Sequence, residues 1–423
     1  MFAVVLLSIL FGSYQPSQPD TLTLDYCYSR IQEHYPIARK IELQDEITSL
    51  NKKIINTAYY PQLNFGAAAT YQSEVTEFPG GGQIPGPELS KDQYKVTMDV
   101  SQSIYDGGAV HIKKELEDAL GTQKKQSTKV QLHQLKEQVN QVYFGILLAR
   151  RQLETTNTLL QTLRAQVKDI KSKVKNGVLL PNQQYILEAE LIKSGQDSTQ
   201  IQSNIKAGFQ ILGQLIDQDL RTNIPLTLPR SEPNYNMQNS LAKLRPEFGL
   251  FESSRKAFSY QKKLAQTNKV PSVSAFGTAA YGRPGFNVFE NDLHPYYIVG
   301  FRVKWNLWGA RNANTKQRML GLQQKSVTEE EHAFERQLQA SLSKIREQIQ
   351  SLQEQVKRDE RIIQLREKVV SVAASQMKNG TSTATEYITE LNKETQARMA
   401  MMIHKTKLAQ AKIDYQTTLG ISK

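Results

Sequence analysis

The sequence predicts a mainly helical, internally duplicated chain with a small transmembrane β portion. Three observations predict it. Leu132, Leu135, Val139, Val142, Ile146, Ala149, Leu153, Thr156, Leu160, Leu163, Val167, Ile170 and Val174 alternate steps of three and four. That is a coiled-coil seam of period 3.5, held for about six heptads with one polar slip at Thr156. Two pairs of segments switch to a period of two, the signature of strands with unlike faces. The whole pattern then recurs: Lys175-Asn176-Gly177 and Lys378-Asn379-Gly380 stand about 200 residues apart, and a tyrosine, Tyr185 or Tyr387, follows each.

The first long helix is expected over 109–176, roughly 100 Å at 1.5 Å per residue. A helix of that length must pack along other helices. Asn176-Gly177 stops it, and a return helix is expected over 182–218. The second copy shows Leu338, Leu342, Ile345, Ile349, Leu352 and Val356, a polar slip at Asp359, then Ile363, Val370, Ala373 and Met377. This predicts a long helix over 310–378 and a return helix over 382–419.

Ahead of each long helix come a helix and two strands. In the first copy the helical pattern of 22–58 is interrupted at His34-Tyr35-Pro36. The strands are expected over 62–72 and 93–105. In the second copy the helix is expected over 237–267, with a break at Arg245-Pro246-Glu247, and the strands over 272–282 and 295–308. Residues 221–235 hold three prolines and read as an extended linker between a first repeat, 21–220, and a second, 236–423. Residues 2–11 form a short apolar run followed by Gly12-Ser13, so residues 1–20 read as a signal peptide or N-terminal extension. No Lys or Arg precedes the run, which leaves a weak signal or a start further upstream.

Composition narrows the function classes. Hydrophobic residues make up 39% of the 423, and the mean hydropathy is −0.50, so no transmembrane helix is expected after the N-terminus. The net charge of +12 would allow an anionic partner. Its lysines, however, are scattered among Gln and Glu along the long helices and read as a solvated coiled-coil exterior, with no nucleic acid as partner. A single cysteine, Cys27, excludes an internal disulfide and a cysteine metal cluster. The six histidines lack metal-ligand spacing, and Gly80-Gly81-Gly82 lies between strands rather than before a helix. No catalytic constellation, cofactor or metal is expected.

Four strands cannot close a barrel, and membrane barrels begin at about eight. Strands near ten residues match a tilted membrane span, and in lipid an unpaired edge is prohibitive. Subunits must then share one barrel: two chains give eight strands and three give twelve, and the larger encloses an open lumen. The apolar positions would meet lipid, with Tyr71, Tyr94, Tyr297 and Trp305 as interfacial aromatics. Lys95, Asp99, Arg302 and Lys304 would face the water-filled lumen.

The order helix, strand, loop, strand, long helix, turn, helix, given twice, resembles the TolC family of outer-membrane efflux proteins. Leu22-Thr23-Leu24-Asp25 with His34-Tyr35-Pro36 resembles the family's opening helix. Ala58 to Pro61 and Val270-Pro271 resemble its strand entries. Ile104-Tyr105-Asp106-Gly107-Gly108 resembles its strand exit, while Leu307-Trp308-Gly309 departs by losing the aspartate. The resemblance implies a homotrimer with a shared 12-stranded outer-membrane β-barrel and a trimeric α-barrel reaching through the periplasm of a Gram-negative cell. It implies a passive duct serving a periplasmic adaptor and an inner-membrane pump, in efflux or type I secretion. The adaptor would meet the hairpin tips, Gly177, Val178, Leu179, Leu180 and Gly380, Thr381, Ser382, Thr383. Apolar Val178, Leu179 and Leu180 either dock that partner or close the hairpin's own end. The family also narrows its tunnel here, which points to Glu386 and Glu390, one helical turn apart, as gate carboxylates that would favour cations; the other reading is ordinary solvated glutamates. The competing class is an exported coiled-coil scaffold that forms no channel.

Overall fold

The computed structural model describes residues 20–75, 90–229, 244–287 and 290–421. The expected signal segment, the Gly80-Gly81-Gly82 run and the first residues of the helix expected over 237–267 lie outside them. The elements in order are α1 (Leu24–His34), α2 (Arg39–Asn56), β1 (Gln62–Tyr71), β2 (Asp92–Tyr105), α3 (Ala109–Lys175), α4 (Pro181–Ile216), α5 (Pro246–Thr267), β3 (Ser272–Arg283), β4 (His294–Lys304), α6 (Gly309–Lys378) and α7 (Ala384–Leu419). The chain divides into two units. One comprises residues 1–39, 129–245 and 336–423; the other comprises 40–128 and 246–335.

In the first unit the heptad positions form the core. Val139, Ile146, Leu163 and Ile170 of α3 are buried, as are Leu338, Leu342, Ile349 and Ile363 of α6. Both polar slips have partners or cover: Thr156 is buried, and the Asp359 carboxylate lies 2.6 Å from His404 Nδ1 on α7. The break at Pro36 falls where expected, with Tyr35 extended at φ −63°, ψ 134° as the residue before a proline must be. The described part of the expected linker, 221–229, is tied to the N-terminal segment. Leu226 bridges Leu22 in parallel, and Tyr143 O–H reaches the carbonyls of Leu22 at 2.9 Å and Thr227 at 2.7 Å. Cys27 is fully buried, and burial pushes its thiol up to about 12, so it is inert.

Tyr28, Asn140, Thr417 and Asp414 form a buried polar group in this unit. Tyr28 O–H donates to Asn140 Oδ1, and Asn140 Nδ2 donates to Thr417 Oγ1 at 3.1 Å and to Asp414 Oδ1 at 3.3 Å. Burial, with Glu137 nearby, pushes the Asp414 carboxyl up to about 6 from 3.8. The folded state therefore holds the proton more tightly than the unfolded chain. The stability this contributes is present at low pH and is lost as pH rises through about 6. Asp414→Asn, which keeps the shape without the charge, is expected to raise the melting temperature at pH 8 and to change it little near pH 3, below both the unfolded and the folded value, as thermal melts in detergent would show.

In the second unit the strands form one antiparallel sheet of order β1-β2-β3-β4, with both outer edges unpaired among the described residues. The register puts every predicted apolar set on one face. Phe65 pairs with Met98, which pairs with Ala279, which pairs with Tyr297; the next rows carry Leu63, Val100, Gly277 and Val299. Phe65, Tyr297, Val299 and Phe301 are each more than 70% exposed in the single chain. The opposite face carries Asn64, Thr97, Asp99, Ser274, Thr278 and Arg302.

One strand boundary differs from expectation. The alternation of β4 runs on to Leu307, but pairing ends at Lys304. Trp305 Nε1 donates to the Lys269 carbonyl at 3.1 Å, and Asn306 Oδ1 accepts from Gly309 N–H at 2.9 Å, so both side chains serve the turn into α6. Of the helix expected over 237–267, the described part is α5, which starts at Pro246, the position of the expected break.

Candidate functional site

The sheet and the hairpin tips carry the features that bear on function. At the strand exit, Asp106 Oδ1 accepts from Gly108 N–H at 2.9 Å and Oδ2 from Val110 N–H at 2.7 Å, capping a helix of 67 residues. Gly107 and Gly108 have φ of +67° and +82°, a conformation in which a side chain is strained. Ile104 and Tyr105 are exposed at the end of β2. In the second copy Leu307 and Trp308 fill the two turn positions and Gly309 starts α6. The lost aspartate therefore has a counterpart: Asn306, three residues before Gly309, supplies the cap.

The two hairpin turns have one geometry. After α3, Val178 N–H donates to Lys173 O at 2.9 Å and Gly177 N–H to Val174 O at 3.0 Å. After α6, Thr381 N–H donates to Gln376 O at 2.9 Å and Gly380 N–H to Met377 O at 3.1 Å. Both are Schellman closures with a left-handed glycine, φ +73° and +74°. No atom lies within 4 Å of a Cβ built on Gly380, so Gly380→Ala meets only backbone strain. It is expected to cost about 1 kcal/mol without loss of fold, measurable as a small drop in melting temperature.

The apolar tip divides its labour. Leu179 packs inward against the core that joins α3, α4, α6 and α7, whereas Val178 and Leu180 are each 68% exposed. Pro181 opens α4 directly behind them. At the second tip Thr383 and Glu386 form a capping box. Thr383 Oγ1 accepts from Glu386 N–H at 3.2 Å, and Glu386 Oε2 accepts from Thr383 N–H at 3.1 Å and from Ser382 O–H at 2.5 Å. The Ser382 hydroxyl and the Thr383 amide hold the Glu386 carboxyl below the usual carboxylate range.

Glu390 is ion-paired twice, to Lys393 at 2.6 Å and to Arg366 at 3.1 Å, and the Lys393 ammonium chiefly holds its carboxyl low. Glu386 and Glu390 line one groove of about 610 Å³ with Lys368, Val369, Val372 and Thr389. Gln183, which stands where Glu386 stands in the other copy, links the tips: its Oε1 accepts from Ala384 N–H at 2.6 Å. Of these partners, Lys393 lies one turn from Glu390 on α7, Arg366 reaches it across the α6–α7 hairpin, and only Gln183 comes from the other hairpin.

Lys95, Asp99, Arg302 and Lys304 all fall on the polar face of the sheet. Among the described residues no group of three or more His, Cys, Asp and Glu is placed to hold a metal, and no helix is long and apolar enough to cross a membrane.

Residues 43–179 match the family model described as outer membrane efflux protein. No curated protein matches the chain significantly. Three similar solved structures are outer-membrane proteins. The outer membrane protein VceC of Vibrio cholerae is 13% identical, with a TM-score of 0.72 over 94% of this chain and 96% of that one. The CmeC outer membrane channel of Campylobacter jejuni is 13% identical, with a TM-score of 0.70 over 95% and 87%. The MtrE outer membrane channel of Neisseria gonorrhoeae in its open state is 14% identical, with a TM-score of 0.69 over 94% and 89%. The fold is that of outer-membrane channels. Residues 43–179 are thus similar to outer membrane efflux proteins, and the similarity to solved channels over most of the chain is one of fold.

Proposed function

We propose that the chain is the exit duct of an efflux assembly in the outer membrane, built from three copies. The observation that carries this reading is the sheet: one continuous apolar face, one polar face, and two unpaired edges. Unpaired backbone groups cost several kcal/mol each in lipid, so β1 of one copy must pair with β4 of the next. Three copies give twelve strands, enough to enclose water. Two unpartnered apolar seams support the same assembly. Leu43, Ile47, Leu50 and Ile54 on α2, and Ile362, Leu365, Val369 and Val372 on α6, keep coiled-coil spacing yet are 43–66% exposed. Second copies would cover them.

In this reading the α3–α4 and α6–α7 hairpins hang into the periplasm, and their tips, with Val178 and Leu180 exposed, meet an adaptor that joins the duct to an energised pump. The duct does no chemistry; it conducts what the pump delivers. A scaffold that formed no channel would leave Phe65, Tyr297 and Phe301 in water, which the hydrophobic effect opposes. Cysteine pairs scanned across β1 and β4 in a Cys27→Ser background test the closure. Oxidation is expected to give dimers and then trimers, with nothing larger. Cross-links confined to single chains would contradict it.

A further inference from the structure

The polar face of the sheet is unbalanced in charge. Lys95, Arg302 and Lys304 lie on it with one carboxylate, Asp99. Asp99 sits in the row of Asn64, Thr278 and Ile298 and accepts a 2.5 Å hydrogen bond from Thr278 O–H. Lys95 is four residues away along β2, about 13 Å at strand rise, and Arg302 stands opposite Ser274, four rows from Asp99 and two strands over. Among the described residues none of the three cations is ion-paired.

Two of them are held by aromatic rings that share the polar face. Arg302 lies 4.8 Å from the Phe276 ring centroid, and Lys95 lies 5.7 Å from that of Tyr296. Gly300 makes room for the first platform, because a Cβ there would stand 3.2 Å from the Phe276 ring. This accounts for two large aromatics on a face that, Ile298 apart, is mainly polar or small.

We propose that the lumen of the barrel prefers anions, and that Lys95, Arg302 and Lys304 set this preference. The inference rests on the channel reading above. Each chain contributes a net of two positive charges to the lumen face, six in a trimer, and rings of fixed charge raise the local concentration of the opposite ion. The tip does not oppose this. The two carboxylates there, Glu386 and Glu390, stand with three cations, as Lys393 and Arg366 pair with Glu390 and Lys368 lines the same groove. The solutes favoured would be small anions such as carboxylates and sulfonates.

The test is the reversal potential of the purified protein in planar bilayers across a tenfold KCl gradient. Chloride is expected to exceed potassium in permeability by about twofold or more at low salt, fading towards 1 M as the Debye length shrinks to about 3 Å. The triple substitution Lys95→Gln, Arg302→Gln, Lys304→Gln is expected to abolish the preference, and Asp99→Asn to strengthen it. Should the triple variant fail to insert, the wild-type and Asp99→Asn potentials decide. A wild-type preference for potassium overturns the inference while leaving the channel intact. A chloride preference unmoved by these substitutions also overturns it, placing selectivity elsewhere. No conductance from inserted wild-type protein instead sinks the channel reading itself.

Discussion

Val299→Arg is expected to abolish assembly in the outer membrane, and Ile298→Arg to leave it intact. The two positions are neighbours in β4, one on each face of the sheet. Val299 pairs with Gly277 in the middle of the apolar face and is 73% exposed in the single chain. An arginine there would meet hydrocarbon at a cost of about 2–4 kcal/mol per chain near the bilayer midplane, and a trimer would bear it three times. Ile298 pairs with Thr278 on the polar face, where an added arginine joins Arg302 in water. Heat-modifiable mobility on gels and the yield in the outer-membrane fraction would report both. Equal tolerance of both substitutions would mean that the apolar face does not meet lipid.

Tyr387→Ala is expected to cost about 3–5 kcal/mol and to loosen the tip. The ring is 2% exposed within the cluster formed by Leu163, Ile170, Leu187, Met377 and Leu391, so four helices lose a shared contact. Faster proteolysis around residues 174–182 and 377–384 and a larger bilayer conductance would follow. Tyr185, its look-alike in the first copy, is 64% exposed, and Tyr185→Ala is expected to stay within about 0.5 kcal/mol of wild type. The turns superimpose with Gly177 on Gly380, which places Tyr185 opposite Ile388 rather than Tyr387. One residue of slip on a helix turns a side chain by about 100°.

That pair illustrates what the sequence made legible. Periodicity identified the seams of α3 and α6 because a spacing of 3.5 is a property of one segment alone. The alternation in β1 to β4 fixed the faces, and the register aligned them across all four strands. The end of β4 was not legible: Trp305 and Leu307 continue the alternation, while pairing stops because Trp305 and Asn306 bond to the turn. Asn306 escaped as a cap because the strand-exit motif pointed to Gly309 as the position that had lost its aspartate.

The tip was half legible. The Asn-Gly stops marked its place. The surroundings of Glu386 and Glu390 depend on Ser382, Arg366 and Lys393, and Gln183 acts across 201 residues of sequence. With them in place, Glu386 caps a helix and Glu390 joins two cations.

The central claim is a barrel shared by three chains. Its most direct test is the mass of the protein extracted from outer membranes in mild detergent, by light scattering with detergent subtracted. The expected result is a species close to three times the 48.0 kDa of the chain, stable in mild denaturant. A monomer or dimer recovered from the soluble fraction would contradict it, and the exposed apolar face of the sheet would then need another cover.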